Sequence, residues 1–390
     1  MNPAARLWPT DLGPVACVVG ARPNLMKMAP ILRAFAASQP EIPALLVHTG
    51  QHYDIELSGR LFDELGMPRP VINLEVGSAT HAVQTAEVMK RFEPVVDAHR
   101  VSCVLVVGDV NSTLACALVA TKKGIPVVHV ESGLRSYDRR MPEEINRVLT
   151  DQISDRLYTT ERSAADNLAR EGIPEDRVRF VGNVMIDSLL GNRRLAVPVA
   201  RTLAAHGIRP DLVESAAGYG VVTLHRPSNV DAPDTLAPLL GVLREISEKL
   251  PLIFALHPRT RSAIARYGLD ALVDTPRMVM LPPQGYLEMI GLMEGARLVL
   301  TDSGGIQEET TALGVPCLTL RENTERPITV EQGTNTMVGR DPTAIRDQVD
   351  RILAGRGKRG RTPEWWDGRA AERIAADLAS WLPARHAAIA

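Results

Sequence analysis

Three acidic residues in the first half of the chain fall where chemistry could use them. Asp109 follows Gly108 at the end of an apolar run, Glu131 closes the next run in His129-Val-Glu-Ser-Gly-Leu-Arg135, and Glu143 follows Pro142 at the start of a helical pattern. Adjacent parallel strands lie under about 5 Å apart, so Asp109 and Glu131 can face one space, where carboxylates raise one another's pKa and suit acid and base work. Taken singly, Glu143 reads better as a first-turn helix acid and Asp109 as a cap; it is their grouping that points to proton transfer.

Other segments suit anions. Gly20-Ala-Arg-Pro-Asn-Leu-Met-Lys27 follows an apolar run and opens a helix. Its backbone amides, with Arg22 and Lys27, fit a phosphate, with a solvated basic turn as the plainer alternative. It carries neither the GxxxxGK[ST] pattern nor a GxGxxG turn. Thr301-Asp-Ser-Gly-Gly-Ile-Gln-Glu-Glu309 repeats the arrangement in the second half. There Ser303, Gly304 and Gly305 would let the backbone approach a diphosphate, and Glu309 could accept from ribose hydroxyls. A simple serine N-cap accounts for Ser303 but not for two successive glycines. His225 and Arg226 end the first strand of the second half, where the histidine could steady a leaving diphosphate. His257 repeats that position one strand later, and Arg326, beyond another strand end, would clamp a phosphate.

The elements that must position these residues are legible as short β-branched runs alternating with longer helical patterns, the mark of parallel sheets covered by helices on both faces. Strands are expected at Val15 to Gly20, Leu45 to Thr49, Val104 to Gly108 and Val127 to Val130, then at Gly220 to Leu224, Leu252 to Leu256, Arg297 to Thr301 and Cys317 to Leu320. These runs are continuously apolar, as strands buried on both faces should be. The halves echo each other: Gly124-Ile-Pro126 and Gly314-Val-Pro316 each stop a helix before a strand. The expected fold is α/β, with two Rossmann-like doubly wound domains, residues 1–195 and 196–390, joined near 190–210. A ligand would occupy the cleft outside the carboxyl ends of both sheets. A last helical pattern from Trp365 to Leu382, counted with the second domain, could pack across both domains and back on the first.

Composition agrees with two domains, since 390 residues exceed what one core fills. The net charge of -2, from 44 basic and 46 acidic residues, gives no global field for nucleic acid or an anionic membrane. No apolar run nears the roughly 20 residues of a spanning helix, and no basic-then-apolar leader opens the chain, so a cytoplasmic location is expected. Cys17, Cys103, Cys116 and Cys317 form no CxxC pair and read as buried reduced thiols, not metal ligands.

Taken together, these segments resemble the non-hydrolysing UDP-N-acetylglucosamine 2-epimerases over nearly the whole chain. The motifs, in order, are Gly20-Ala-Arg-Pro with Lys27-Met-Ala-Pro, Gly108-Asp109, His129-Val-Glu-Ser-Gly-Leu-Arg, Pro142-Glu-Glu-Ile-Asn-Arg, Asp302-Ser-Gly-Gly-Ile-Gln-Glu-Glu, Thr324-Glu-Arg-Pro, Gln332-Gly-Thr and Trp366-Asp-Gly. The resemblance implies a glycosyltransferase B-like architecture, a homodimer, a nucleotide-sugar substrate, and no NAD or metal. It implies Arg22, Lys27, Asp109, Glu131, Glu143 and His225 at the reaction centre. It also implies a UDP loop of Ser303, Gly304, Gly305 and Glu309, with Arg326 on the phosphates. The implied reaction is anti elimination of UDP to 2-acetamidoglucal, followed by re-addition with C2 inverted. Two departures stand out. Gln51-His52-Tyr53-Asp54 replaces the Gln-His-Arg of members activated by their own substrate, and Met289 stands where many relatives have Phe near the uracil.

Overall fold

The computed structural model describes residues 8–9, 11–50, 55–212 and 218–389. The chain divides into two compact units, Met1–Gly191 with Glu364–Ala390, and Asn192–Pro363. Each is built on one parallel sheet.

In the first unit the strands are β1 (Val15–Val19), β2 (Ala44–His48), β3 (Ile72–Asn73), β4 (Cys103–Val107), β5 (Val127–Ser132), β6 (Arg156–Thr159) and β7 (Val178–Phe180). Their order across the sheet is β3-β2-β1-β4-β5-β6-β7, every pair parallel. All residues of β1 and β4 are buried, because helices cover both faces. On one face Val18, Val47, Val104 and Val106 meet Phe92 and Val96 of the helix His81–His99 and Ala115 and Val119 of the helix Asn111–Lys122.

The second unit has β8 (Gly220–Thr223), β9 (Leu252–Ala255), β10 (Met278–Leu281), β11 (Leu298–Thr301), β12 (Cys317–Thr319) and β13 (Asn335–Met337), in the order β10-β9-β8-β11-β12-β13 and all parallel. Val222, Phe254 and Leu300 pack under Leu236, Leu240 and Leu243 of the helix Pro233–Lys249 and Ile345 and Val349 of the helix Pro342–Leu353. In both sheets the order reverses once, between β1 and β4 and between β8 and β11. At such a switch point the adjoining loops diverge to opposite faces and open a crevice at the carboxyl edge.

The eight expected strands are present, and five more join them. β3, β7 and β13 have two or three residues each, and β6 begins with an arginine, so none of these makes an apolar run long enough to register as a strand; the fifth, β10, is a four-residue apolar run that the reading passed over. The division of the chain also differs from an N-half and a C-half. Residues 364–390 belong with the first unit, because buried polar contacts hold them there. Asp187 accepts from the amides of Ala370 and Ala371 at 3.1 and 2.7 Å, capping the helix Ala370–Ile389. Asp377 of that helix accepts from Arg156 at 2.8 and 2.5 Å and from Tyr158 at 2.8 Å. Trp366 donates to the Thr160 carbonyl at 3.2 Å, and Trp365 stacks on Phe180 with ring centres 4.6 Å apart. The helix starts later than the pattern suggested, because Trp365 has a left-handed φ of 60° and a turn intervenes.

One glycine limits how the edge of the first sheet can be built. Gly133 has φ 77°, and a Cβ there would lie 2.4 Å from the Ala164 carbonyl oxygen. Gly133→Ala should therefore cost about 1–3 kcal/mol from backbone conformation alone, and more from the collision. Urea denaturation would read this as a lower midpoint at constant slope, and an unchanged midpoint would contradict it.

Candidate active site

The acidic residues lie at the carboxyl edge of the first sheet, next to its switch point. Glu131 sits at a register shift between Val130 and Ser132 of β5 and has a left-handed φ of 69°. Such backbone in a non-glycine residue is strained and persists only where packing overrides it, a common property of working sites. The Glu131 carboxylate is wholly buried, with Lys27 Nζ 2.5 Å from Oε2. Lys27, expected on a phosphate, is thus the cation of this carboxylate. Asn24 ties the preceding turn to the neighbouring strand: it accepts from the Ala21 amide at 2.9 Å and donates to the Val107 carbonyl at 2.9 Å. Arg22 is half-buried at the first position of the same helix, Arg22–Ala37.

Asp109 follows β4 and keeps part of its carboxylate exposed, at 19% of the side chain. Its ion-pair partner is Arg147, buried on the helix Pro142–Ile153, whose Nη1 also lies 2.7 Å from Glu144 Oε2. Glu144 in turn accepts from the amides of Ser136 and Tyr137, both at 2.9 Å. Glu143, the residue singled out from the sequence, is half-buried in the first turn of that helix. The arrangement therefore differs from three carboxylates repelling one another. Glu131 is paired with Lys27 and Asp109 with Arg147, so each of these two acids has its own cation.

A second cluster occupies the carboxyl edge of the other sheet, again at its switch point. His225 follows β8 and Asp302 follows β11, the adjacent strand, with His225 Nδ1 2.8 Å from Asp302 Oδ1. Asp302 also accepts from the amides of His225 and Arg226 and from Asn229 Nδ2 at 3.1 Å. Burial acts to raise the Asp302 pKa, but the His225 ring and the amides outweigh it and hold the carboxyl below its ordinary range. An ionised Asp302 fixes the proton on Nδ1 and leaves Nε2 as the ring's working atom. His257 is exposed; its Nδ1 accepts from the Arg259 amide at 3.2 Å as a helix cap, and its ring centre lies 5.6 Å from that of His225.

Ser303 stands at the N-cap of the helix Gly304–Leu313 without a side-chain cap bond, so the serine-cap reading does not hold for its hydroxyl. A Cβ on Gly304 would come within 2.9 Å of Glu325 Oε1, so glycine permits the close approach of that loop. Gly305 is the second residue of the helix. Arginines ring the same region: Arg321 and Arg226 lie 2.8 and 3.3 Å from Glu325, and Arg326 lies 2.8 Å from Glu308. Burial would raise Glu325, but Arg321, Arg326 and Arg226 hold it far below the usual carboxylate range. Three guanidinium groups are thus pre-oriented by buried acids, which lowers the cost of arranging them around an anion.

Glu309 is buried in the same helix, and burial, reinforced by the charge of Glu308 and moderated by a hydrogen bond with Tyr286, pushes its carboxyl up to about 8. The folded protein holds this proton up to that pH, whereas an unfolded chain releases it near 4.5. The folded state therefore binds more protons in between, and stability falls as pH rises through that window. Glu309→Gln should flatten the dependence and gain on the order of a few kcal/mol over wild type near pH 9. Thermal melts at pH 6 and 9 test this, and parallel curves for the two proteins would refute it. Met289 is half-buried on the helix Tyr286–Glu294 and packs on the core that contains Tyr219 and Leu292. Gln51 to Asp54 lie outside the described residues.

Sequence reading did not single out Asn24, Glu144, Arg147, Asp302 and Glu308 as partners of the candidate residues, whereas Arg321 and Glu325 were visible beside Arg326 beyond a strand end. Several stood within the quoted motifs, but what identifies them is a partner remote in sequence, such as Asp109 for Arg147. Among the described residues, no group of three or more His, Cys, Asp or Glu could hold a metal ion, and no helix is long and apolar enough to cross a membrane. The four cysteines are buried and unpaired, and burial pushes the Cys17 thiol up to about 12.

Two parallel doubly wound sheets, with basic and acidic residues at their carboxyl edges, define an α/β enzyme of the glycosyltransferase B structural class. Residues 35–379 match the family model of UDP-N-acetylglucosamine 2-epimerase, and the chain belongs to that family of epimerases. It is 40% identical over 363 residues to UDP-N-acetylglucosamine 2-epimerase of Methanocaldococcus jannaschii, covering 92% of this chain and 97% of that protein. It is 39% identical over 373 residues to UDP-2,3-diacetamido-2,3-dideoxy-D-glucuronate 2-epimerase of Pseudomonas aeruginosa, covering 94% and 99%. The crystal structure of the Methanocaldococcus jannaschii enzyme in complex with UDP-GlcNAc and UDP is similar with a TM-score of 0.84 at 39% identity, covering 93% of this chain and 99% of that one.

Proposed function

We propose that this protein interconverts UDP-N-acetylglucosamine and UDP-N-acetylmannosamine by non-hydrolytic inversion at C2. The observation that carries the reading is the pair of acids at neighbouring strand ends, Glu131 with Lys27 and Asp109 with Arg147, each beside its own cation. The C2 proton has no adjacent carbonyl to acidify it. Anti elimination of UDP helps by building positive character at C1 as the C–O bond breaks, giving 2-acetamidoglucal. UDP then re-adds after C2 takes a proton on the opposite face. Inversion needs proton-handling groups for both faces, which is why more than one carboxylate is used. Asp109, Glu131 and Glu143 are assigned this work, with Arg22 and Lys27 supporting the developing charges. His225 Nε2, the amides of Ser303, Gly304 and Gly305, and Arg326 are assigned to UDP, with Glu309 and Met289 at its ribose and base and His257 at the rim. No hydride moves, so the proposed reaction has no use for NAD; the reading assigns it no metal, and the protein works as a cytoplasmic homodimer.

A proton NMR time course with UDP-N-acetylglucosamine in deuterium oxide tests the reading. Anomeric signals of UDP-N-acetylmannosamine rising to a plateau, with deuterium at C2, are expected. Free N-acetylmannosamine would instead mean hydrolysis. Turnover confined to UDP-2,3-diacetamido-2,3-dideoxy-D-glucuronate would move the substrate to that of the Pseudomonas aeruginosa relative, and no change with either would leave transfer or binding.

A further inference from the structure

His129 lies beneath both acid-bearing strand ends and has no part in the mechanism above. It is wholly buried on β5, with Nδ1 2.6 Å from Asp151 Oδ1 and Nε2 2.8 Å from the Gly108 carbonyl oxygen. A carboxylate and a carbonyl only accept hydrogen bonds, so both ring nitrogens must donate and the ring is an imidazolium. A neutral ring would set a lone pair against one of the two oxygens, a costly arrangement in a dry interior. Asp151 is ionised accordingly: burial acts to raise it, but His129 and Arg135 hold it below its ordinary range. Its other oxygen accepts from the Gly133 amide at 3.0 Å and lies 2.7 Å from Arg135 Nη2, and Arg135 reaches Glu171 at 2.8 and 2.6 Å. The charges alternate from buried His129, Asp151 and Arg135 out to the partly exposed Glu171, so none is left uncompensated.

Its contact points bracket the acids. The Gly108 carbonyl belongs to the peptide that leads into Asp109, and Gly133 follows the strained Glu131 by two residues. We propose that the His129 imidazolium is a positioning residue for the epimerisation. It holds Asp109 through the Gly108 carbonyl, and it holds the Glu131 bulge through Asp151 and the Gly133 amide. The proposal rests on the functional reading for the roles of the two acids, but not for the charge state of the ring. Misplacing a reacting group by about 1 Å can cost a hundredfold in rate.

Two measurements on the full chain decide it. In the wild-type protein labelled with 15N-histidine, one ring should show two persistent N–H protons, absent from His129→Gln; a single N–H on that ring overturns the proposal. In kinetics, folded His129→Gln should lose about a hundredfold in kcat, while KM and UDP affinity stay within about twofold. Asp151→Asn, which keeps the shape and removes the charge, should lose the second N–H and a similar factor in kcat. It carries the kinetic test if His129→Gln does not fold. A folded variant of either kind with wild-type kcat overturns the positioning role, since a histidine that merely packs would lower stability and spare turnover. Wild-type protein that leaves UDP-N-acetylglucosamine unchanged in the NMR time course would count against the functional reading, while the two N–H protons would still establish the charged strut.

Discussion

Asp109→Asn should bind UDP as wild type does and lose about three orders of magnitude in kcat. Asparagine keeps the size and can still meet Arg147, so the cluster of Asp109, Arg147 and Glu144 should hold its shape. What it loses is the ability to exchange a proton, and general acid–base groups are worth roughly 10²–10⁴ in rate. The partial exposure of this carboxylate, in contrast to the wholly buried Glu131, makes Asp109 better placed than Glu131 to meet a ligand. Calorimetric UDP titration and the NMR assay of C2 inversion, run on the same preparation, separate the two effects. Turnover within a fewfold of wild type would remove Asp109 from the mechanism.

The largest effect on stability is expected from Lys27→Met. Lys27 Nζ and Glu131 Oε2 are 2.5 Å apart, with side-chain exposures of 6% and 0%. Removing the ammonium leaves a carboxylate in a dry site beside strained backbone, which typically destabilises by about 3–5 kcal/mol. Adding Glu131→Gln removes the stranded charge, so Lys27→Met/Glu131→Gln should recover most of the loss in denaturant midpoint while remaining inactive. That split distinguishes an ion pair kept for chemistry from one kept for folding. A single variant as stable as wild type would show that Glu131 finds another partner, and an active double variant would remove both residues from the reaction.

The fold was legible where long apolar runs met glycine and proline, because strands buried on both faces must be apolar throughout. It was less legible at β3, β6, β7, β10 and β13, where two to four residues suffice to extend a sheet already nucleated by its neighbours. The candidate residues were legible as types of residue at strand ends, where the structure does place Asp109, Glu131, His225 and the Ser303 to Gly305 turn. Their electrostatics were not. The reading set carboxylate against carboxylate, whereas the structure sets Lys27 against Glu131 and Arg147 against Asp109, pairs separated by about a hundred and by 38 residues in the chain. Asp302 was within a quoted motif, but its meaning depends on His225, 77 residues earlier. Only tertiary structure discloses which acid meets which base.

The return of residues 364–390 to the first unit has a consequence for how the protein comes into being. On the ribosome, the middle of the polypeptide emerges complete while the opening portion still waits for Asp377 to satisfy Arg156 and Tyr158 and for Trp366 to reach the Thr160 carbonyl. The part begun first is therefore finished last. During synthesis the nascent acidic edge stays provisional until the closing helix is released, reversing the usual N-to-C progression of domain maturation.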